Sequence, residues 1–225
     1  MSFCLFVEFS ASERLNAGDE EKLSSSLRGL RGLERGLVHT PATAHDPFLH
    51  DGAPPVLALQ LYYADVADLE AAVARGGPLG ACVANIPALA AASVTHEAML
   101  VRRFPVPEPA IAGEPWCTYL VAYDGPAEDP NAWHAHYLEH HPTIMARFPG
   151  LRELELYTGI DWVGFAPGER MRHLQRNKVA FDSPQALTAA LESPLRAEMR
   201  EDYRRFPKFG GKVTHFPMLT RSLRA

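Results

Sequence analysis

Near the end of the chain the run VTHFPML (213–219) repeats VTHEAML (94–100) at five of seven positions. Two further pairs stand in the same order. FCLFVEF (3–9) resembles WCTYLVAY (116–123), with Cys4 and Cys117 in register, and RGLERGLVHT (31–40) resembles PGLRELELYT (149–158). The slightly unequal offsets between the pairs are what loop insertions produce. A chain with this internal repetition is expected to fold as two copies of one unit. Between the copies lies FPVPEPAIAGEP (104–115), rich in proline and small residues, whose backbone favours extension over helix. The expected organisation is a first repeat over 1–104, a linker over 105–115 and a second repeat over 116–225.

Each half reads as strand–helix–strand–strand–helix–strand. In the second half, 116–123 is apolar and β-rich. Asp129-Pro130 opens a helix, with Asp129 as N-cap and Pro130 where a missing N–H costs little. That helix is expected to end near Pro149-Gly150. Strands follow at 151–162 and 176–181, then a helix from Asp182-Ser183-Pro184 to about Arg205, then a closing strand at 213–219. The first half gives 3–9, a helix around 19–30, 36–40, 55–63, a helix over 65–85, and 93–101. This order is the split βαβ, or ferredoxin-like, plan. Apolar residues occur at both parities of the strands, as in Leu120 with Val121 and Val179 with Ala180. Both sheet faces therefore need cover. The expected fold class is α+β, the two antiparallel sheets packing face to face as an α/β barrel within one chain.

The chain has 225 residues, of which 47% are hydrophobic and 22% charged, the mix of a globular protein. A net charge of −5 supplies no basic field for nucleic acid. No apolar run reaches the ~18 residues of a membrane helix. MSFCLFVEF lacks a basic start and breaks at Glu8, so it reads as a strand and not as a signal peptide. Three cysteines, none in a CxxC pair, fit a reducing cytoplasm. The expected partner is a small-molecule substrate, with neither nucleic acid nor membrane.

Reactive side chains are densest in WHAHYLEHHPTIMARF (133–148), which holds four of the ten histidines. On a helical wheel of about 100° per residue, Trp133, Tyr137, Leu138, Ile144, Met145 and Phe148 make one apolar face. His141 falls near its middle, His134 toward one edge, His140 off the other, and His136 toward solvent. Carried back along the repeat, His141 falls on Leu23. The fold therefore tolerates leucine there, and a histidine in one copy only points to a task. An imidazole in apolar surroundings stays mostly neutral and can take a proton from a substrate and return it elsewhere. On the next strand Glu153, Glu155 and Tyr157 share one parity and Leu154 and Leu156 the other. Tyr157 is a candidate donor to a developing oxyanion, whereas Glu153 and Glu155 read as a solvated or barrel-lining pair. Trp133, His134, Tyr137 and Met145 on the helix, Tyr123 on the strand before it and Trp162 after it are candidate substrate contacts.

WHAHYLEHHPTIMARFPGLRELELYT resembles the helix-and-strand signature of the EthD family of the dimeric α/β-barrel superfamily. Tyr137, Glu139, His141 and Pro149-Gly150-Leu151 fit that signature. The family more often places one residue between histidine and proline, so His140, two before Pro142, is a rival for the family position. The resemblance covers the second half and, in the first, only the architecture; the chain is identified as a tandem-repeat member. It implies oxidative breakdown of small organic compounds such as ethers, an apolar cleft between helices and sheet, and no cofactor. Relatives include small decarboxylases and dehydratases, quinol-forming monooxygenases, haem-degrading enzymes and muconolactone isomerases. Many work as homodimers of one unit. Here the barrel is expected to be complete in one chain, further dimerisation remaining open.

The resulting expectation is an oxidoreductase or a lyase/isomerase acting on a small apolar oxygenated compound, with His141 as general acid/base. The alternatives are a non-catalytic ligand-binding or stress-associated barrel, and a haem- or metal-binding one. His136 and His140 have a spacing that can hold zinc, but no zincin glutamate stands beside them. The loop AHDPFLHDG (44–52) repeats His-Asp at His45-Asp46 and His50-Asp51; it reads as a polar turn-rich loop, with a metal site or a lid as alternatives. The longer loop at 160–177, anchored by Trp162, Phe165 and Met171, is a candidate cover for a cleft or contact for a second molecule. GGPLG (76–80) reads as a helix break and not a phosphate loop. His96 and His215, at equal places in the closing strands, read as structural.

Overall fold

The sequence sets most element boundaries through ordinary caps and breakers. The computed structural model describes residues 2–49 and 51–223. The first half comprises β1 (Ser2–Ser10), α1 (Ala17–Arg28), β2 (Leu33–Pro41), β3 (Leu57–Tyr63), α2 (Val66–Ala72), α3 (Pro78–Ala84) and β4 (Ser93–Phe104). The second comprises β5 (Trp116–Asp124), α4 (Pro130–Met145), β6 (Leu151–Gly159), the short β7 (Glu169–Arg170), β8 (His173–Phe181), α5 (Pro184–Leu191), α6 (Leu195–Tyr203) and β9 (Val213–Ser222). Asp129 caps α4 by accepting from the backbone N–H of Asn131 and Ala132, and Ser183 caps α5 by accepting from Ala186. The single second helix expected in each half is two helices. In the first half Gly76, at φ 69°, turns the chain. A Cβ on Gly77 would lie 2.8 Å from the carbonyl oxygens of Ala72 and Ala74, so only glycine fits the break. In the second half Pro194 ends the first segment and α6 restarts after it.

The strands run in the order β1-β3-β2-β9-β5-β8-β6-β4, and β1 pairs with β4, so eight antiparallel strands close into a barrel. Within each half the spatial order is the same: β4-β1-β3-β2 and β9-β5-β8-β6, the ferredoxin-like arrangement. The halves join by exchange. The last strand of each pairs with the second strand of the other, as β2 with β9 and β4 with β6. No open edge remains between these eight strands.

Three layers of buried side chains result. Helices α1, α2 and α3 cover one half of the barrel over Leu5, Phe9, Leu23, Leu59 and Leu61, joined by Trp162. Helices α4, α5 and α6 cover the other over Tyr123, Trp133, Tyr137, Leu154, Leu156 and Val179. The barrel interior is lined by Cys4, Phe6, Tyr62, Met99, Trp116 and Tyr157 and is crossed by ion pairs. Lys178, with no exposed surface, sits 2.8 Å from Glu155 and 3.1 Å from Glu153. Arg35 and Arg103 complete this network on Glu153 and Glu155. Glu153 and Glu155 therefore line the barrel, one of the two readings given for them.

Candidate functional site

Helix α4 continues through Pro142 to Met145, its inward face formed by Trp133, Tyr137, His141, Ile144 and Met145. The wheel thus separates the two rival histidines. His141 is buried, whereas His140 is exposed, 3.8 Å from the carboxylate of Glu139. His141 Nδ1 lies 2.7 Å from Oδ2 of Asp202 on α6, and its Nε2 lies 3.3 Å from the hydroxyl of Tyr123 on β5. Burial disfavours the imidazolium and pushes the His141 pKa below its ordinary value, while the Asp202 hydrogen bond partly opposes this. For Asp202, burial acts upward, but the His141 hydrogen bond and the neighbouring imidazoles prevail and hold the carboxyl low. The pair is thus a neutral imidazole donating Nδ1–H to a carboxylate. The Asp202 Oδ1 faces a second ring, with His136 Nε2 3.3 Å away.

These groups open on a cavity of about 360 Å³ between the sheet and helices α4, α5 and α6. Its floor is Val121 and Tyr123 of β5 with Asn177 and Val179 of β8; Met145, Leu187, Leu191 and Met199 form apolar walls. Burial pushes the Tyr123 phenol well up, so it is a donor at neutral pH. Asn177 spends one end of its amide on the Tyr137 hydroxyl, donating at 2.7 Å, and its Oδ1 has no partner among the described residues. A buried polar atom left unpaired beside a cavity is a place where a ligand O–H or N–H gains a hydrogen bond. At the mouth, Arg196, Arg200 and Arg204 recur along one face of α6 and its end.

The roof comes from the other half. Phe48 and Leu49, in the loop between β2 and β3, line the cavity. Asp46 ties this loop down, accepting from Tyr119 Oη at 3.1 Å and Arg196 Nη2 at 2.9 Å. Asp51 accepts from His215 Nδ1 at 2.7 Å. The segment expected to be mainly a polar turn is therefore the cover of the cleft; His50, part of the same expectation, lies outside the described residues. The loop between β6 and β8, the other candidate cover, packs instead on the first half. There Phe165 donates to the Val73 carbonyl and Trp162 joins the first-half core.

Several expected site residues lie elsewhere. Tyr157 faces the barrel interior, donating to Glu155 Oε2 at 2.6 Å and accepting from Gln60 at 2.9 Å. Leu154 and Leu156, of opposite parity, face the helices, so Tyr157 and His141 stand on opposite sides of the sheet. Trp162 is not in the cleft. Trp133 is fully buried and stacked on Tyr137, an element of the core behind the cavity wall. Both ring nitrogens of His134 are 2.8 Å from backbone carbonyls of Pro130 and Leu174, which ties α4 to β8. Tyr123 and Met145 do line the cavity, and Tyr137 lies against the His141 ring at 4.9 Å. Among the described residues no three His, Cys, Asp or Glu side chains converge as a metal-ion site.

The sequence carries a signal for Asp202. Leu195, Met199, Asp202 and Phe206 follow helical spacing, and all pack inward. A carboxylate standing in an apolar stripe requires a buried partner.

No family model and no curated protein matches the sequence. Solved structures do match its fold. An anthrone oxidase-like protein aligns at a TM-score of 0.64 with 14% identity, over 99% of this chain and 93% of that one. A candidate monooxygenase from Fusobacterium nucleatum aligns at 0.62 with 9% identity, over 97% and 91%. A candidate monooxygenase from Lactobacillus acidophilus aligns at 0.55 with 12% identity, over 97% and 93%. These similarities establish a shared barrel fold. No helix is long and apolar enough to cross a membrane among the described residues.

Proposed function

We propose that the chain is an EthD-like oxidoreductase for a small, largely apolar, oxygenated compound, with His141 as its general base. The observation that carries this reading is an imidazole backed by Asp202 at 2.7 Å and opening on an apolar cavity. The oxidase- and monooxygenase-type names among the fold neighbours agree with it. The substrate class is a flat aromatic ketone or phenol with an acidic C–H. His141 Nε2 takes that proton, and Tyr123 Oη–H, 3.3 Å away, stabilises the charge developing on a ligand oxygen. The electron-rich carbanion is oxidised by dioxygen. A C–O bond forms, and the peroxide takes the proton from His141. Loss of water then leaves a new carbonyl. One oxygen atom stays in the product and the other leaves as water.

Anthrone, a tricyclic ketone with an acidic methylene, is a suitable probe. Wild-type protein should consume dioxygen with it and place one atom of ¹⁸O₂ in the product. His141→Ala should keep its fold and lose about 10²–10⁴-fold in rate. A His141→Ala protein of full activity would refute the assignment. Failure of wild-type protein to act on anthrone and on related acidic C–H aromatics would refute the reaction class.

A further inference from the structure

The cavity holds a second imidazole–carboxylate pair. His215 of β9 lines it, with Nδ1 2.7 Å from Asp51 Oδ2. The sequence gives His215 a twin, His96, in the matching run of the first half. His96 is buried against Trp162, with ring centroids 5.7 Å apart, and its Nε2 is 3.1 Å from the Ala166 carbonyl. His215 has no such plug. Its ring lies beside Tyr119 at 5.7 Å, and it borders open volume. The same strand position is thus sealed in one half and open in the other. Asp51 is held below the usual carboxylate range chiefly by the His215 hydrogen bond, so it is an acceptor for Nδ1. Charge on His215 adds a minor push to the burial that lowers His141.

Resting on the function proposed above, we infer that His215 is a second proton-transfer group of the same cavity, positioned by Asp51 from the first-half loop. It serves the step that His141 cannot complete alone. In the collapse of the peroxide, His141 takes the remaining C–H proton, the C–H and O–O bonds break and the carbonyl π bond forms. Carbon is oxidised and the distal oxygen reduced. The departing hydroxide takes a proton from Nε2 of protonated His215 and leaves as water. A proton then passes back from His141 to His215 through solvent. The substrate must therefore present its acidic carbon to His141 with the oxygen bound there directed toward His215.

Two measurements with anthrone separate the steps. Anaerobic exchange of its methylene protons for solvent deuterium reports the first abstraction. Aerobic conversion reports the whole sequence. In His215→Ala and His215→Gln the ratio of conversion to exchange should fall about 100-fold, with the hydroperoxide accumulating and free imidazole restoring turnover. His141→Ala should lose both signals together. Asp51→Asn removes the ionised acceptor at Nδ1, so it should shift the ¹⁵N resonance of that nitrogen and lower the same ratio. An unchanged ratio in both His215 variants, with wild-type protein active, overturns the inference and leaves the proposed function standing. Wild-type protein that neither exchanges nor converts the probe overturns both.

Discussion

His141 Nδ1 and Asp202 Oδ2 meet at 2.7 Å across 61 residues of chain, binding α4 to α6 at the edge of the cavity. An ionised Asp202 favours the Nδ1–H tautomer and leaves Nε2 as the face that the proposed reaction uses. Asp202→Asn keeps the size of the side chain and removes the ionised acceptor. Oxygen uptake with the anthrone probe should drop by about 10²–10⁴-fold while circular dichroism stays unchanged. An Asp202→Asn enzyme as fast as the parent would take this carboxylate out of the mechanism.

The pH profile carries a definite sign. Burial lowers the His141 pKa, with Asp202 only partly offsetting it. With the neutral ring as the proposed base, activity should be present above the shifted value and lost as pH falls through it. The acidic limb of kcat/KM should therefore lie below the ordinary imidazole value of about 6.5. Residual activity of Asp202→Asn should show a limb lower still, because the group that favours the imidazolium is gone. A limb above the ordinary value would contradict a neutral, desolvated base.

Lys178 is the main counter-charge inside the barrel. Removing it by Lys178→Met leaves Glu153 with Arg35 and Glu155 with Arg103 as remaining partners, and urea denaturation should show a loss of about 3–5 kcal/mol. The acid response follows from the same contacts. Burial alone would raise Glu153, but Lys178 and Arg35 hold it at about 2. A lowered folded pKa contributes stability above the unfolded value and loses it as pH falls through the folded one. Wild-type stability should decline between 4.5 and about 2. Lys178→Met should start lower and fall less steeply there. A variant with wild-type stability and slope would show that the network contributes nothing.

Asp46 pins the roof through Tyr119 and Arg196. Phe48 lies against Arg200, whose guanidinium carbon is 4.1 Å from the ring centroid. Asp46→Ala should speed amide exchange across residues 42–49 and 51–53 and weaken probe binding about tenfold, the equivalent of about 1.4 kcal/mol. Unaltered exchange in that segment would mean that other contacts hold the loop.

The order of strands and helices was legible because β-rich runs and cap residues are local signals. So was the inward turn of His141, since a helix of known phase fixes which side chains share its apolar face. Tyr157 was misplaced because alternation identifies a strand's two faces but not which one meets the helices. Here both faces are buried, so hydrophobicity could not decide, and the face with Glu153 and Glu155 turned inward only because Lys178, Arg35 and Arg103 await it. Trp162 was misplaced because a long loop carries no phase, and its docking depends on what the other half offers. The Asp51–His215 pair joins residues 164 apart, a distance that no periodicity spans.

The exchange of closing strands has a last consequence. In a barrel assembled from two identical subunits, every amino-acid change is made twice, and a cavity opened on one side is opened on both. Here Leu23 packs solidly beneath α1 while His141 borders a void beneath α4. One flank is packed through beneath its first helix, and the open volume that His141 borders lies on the other.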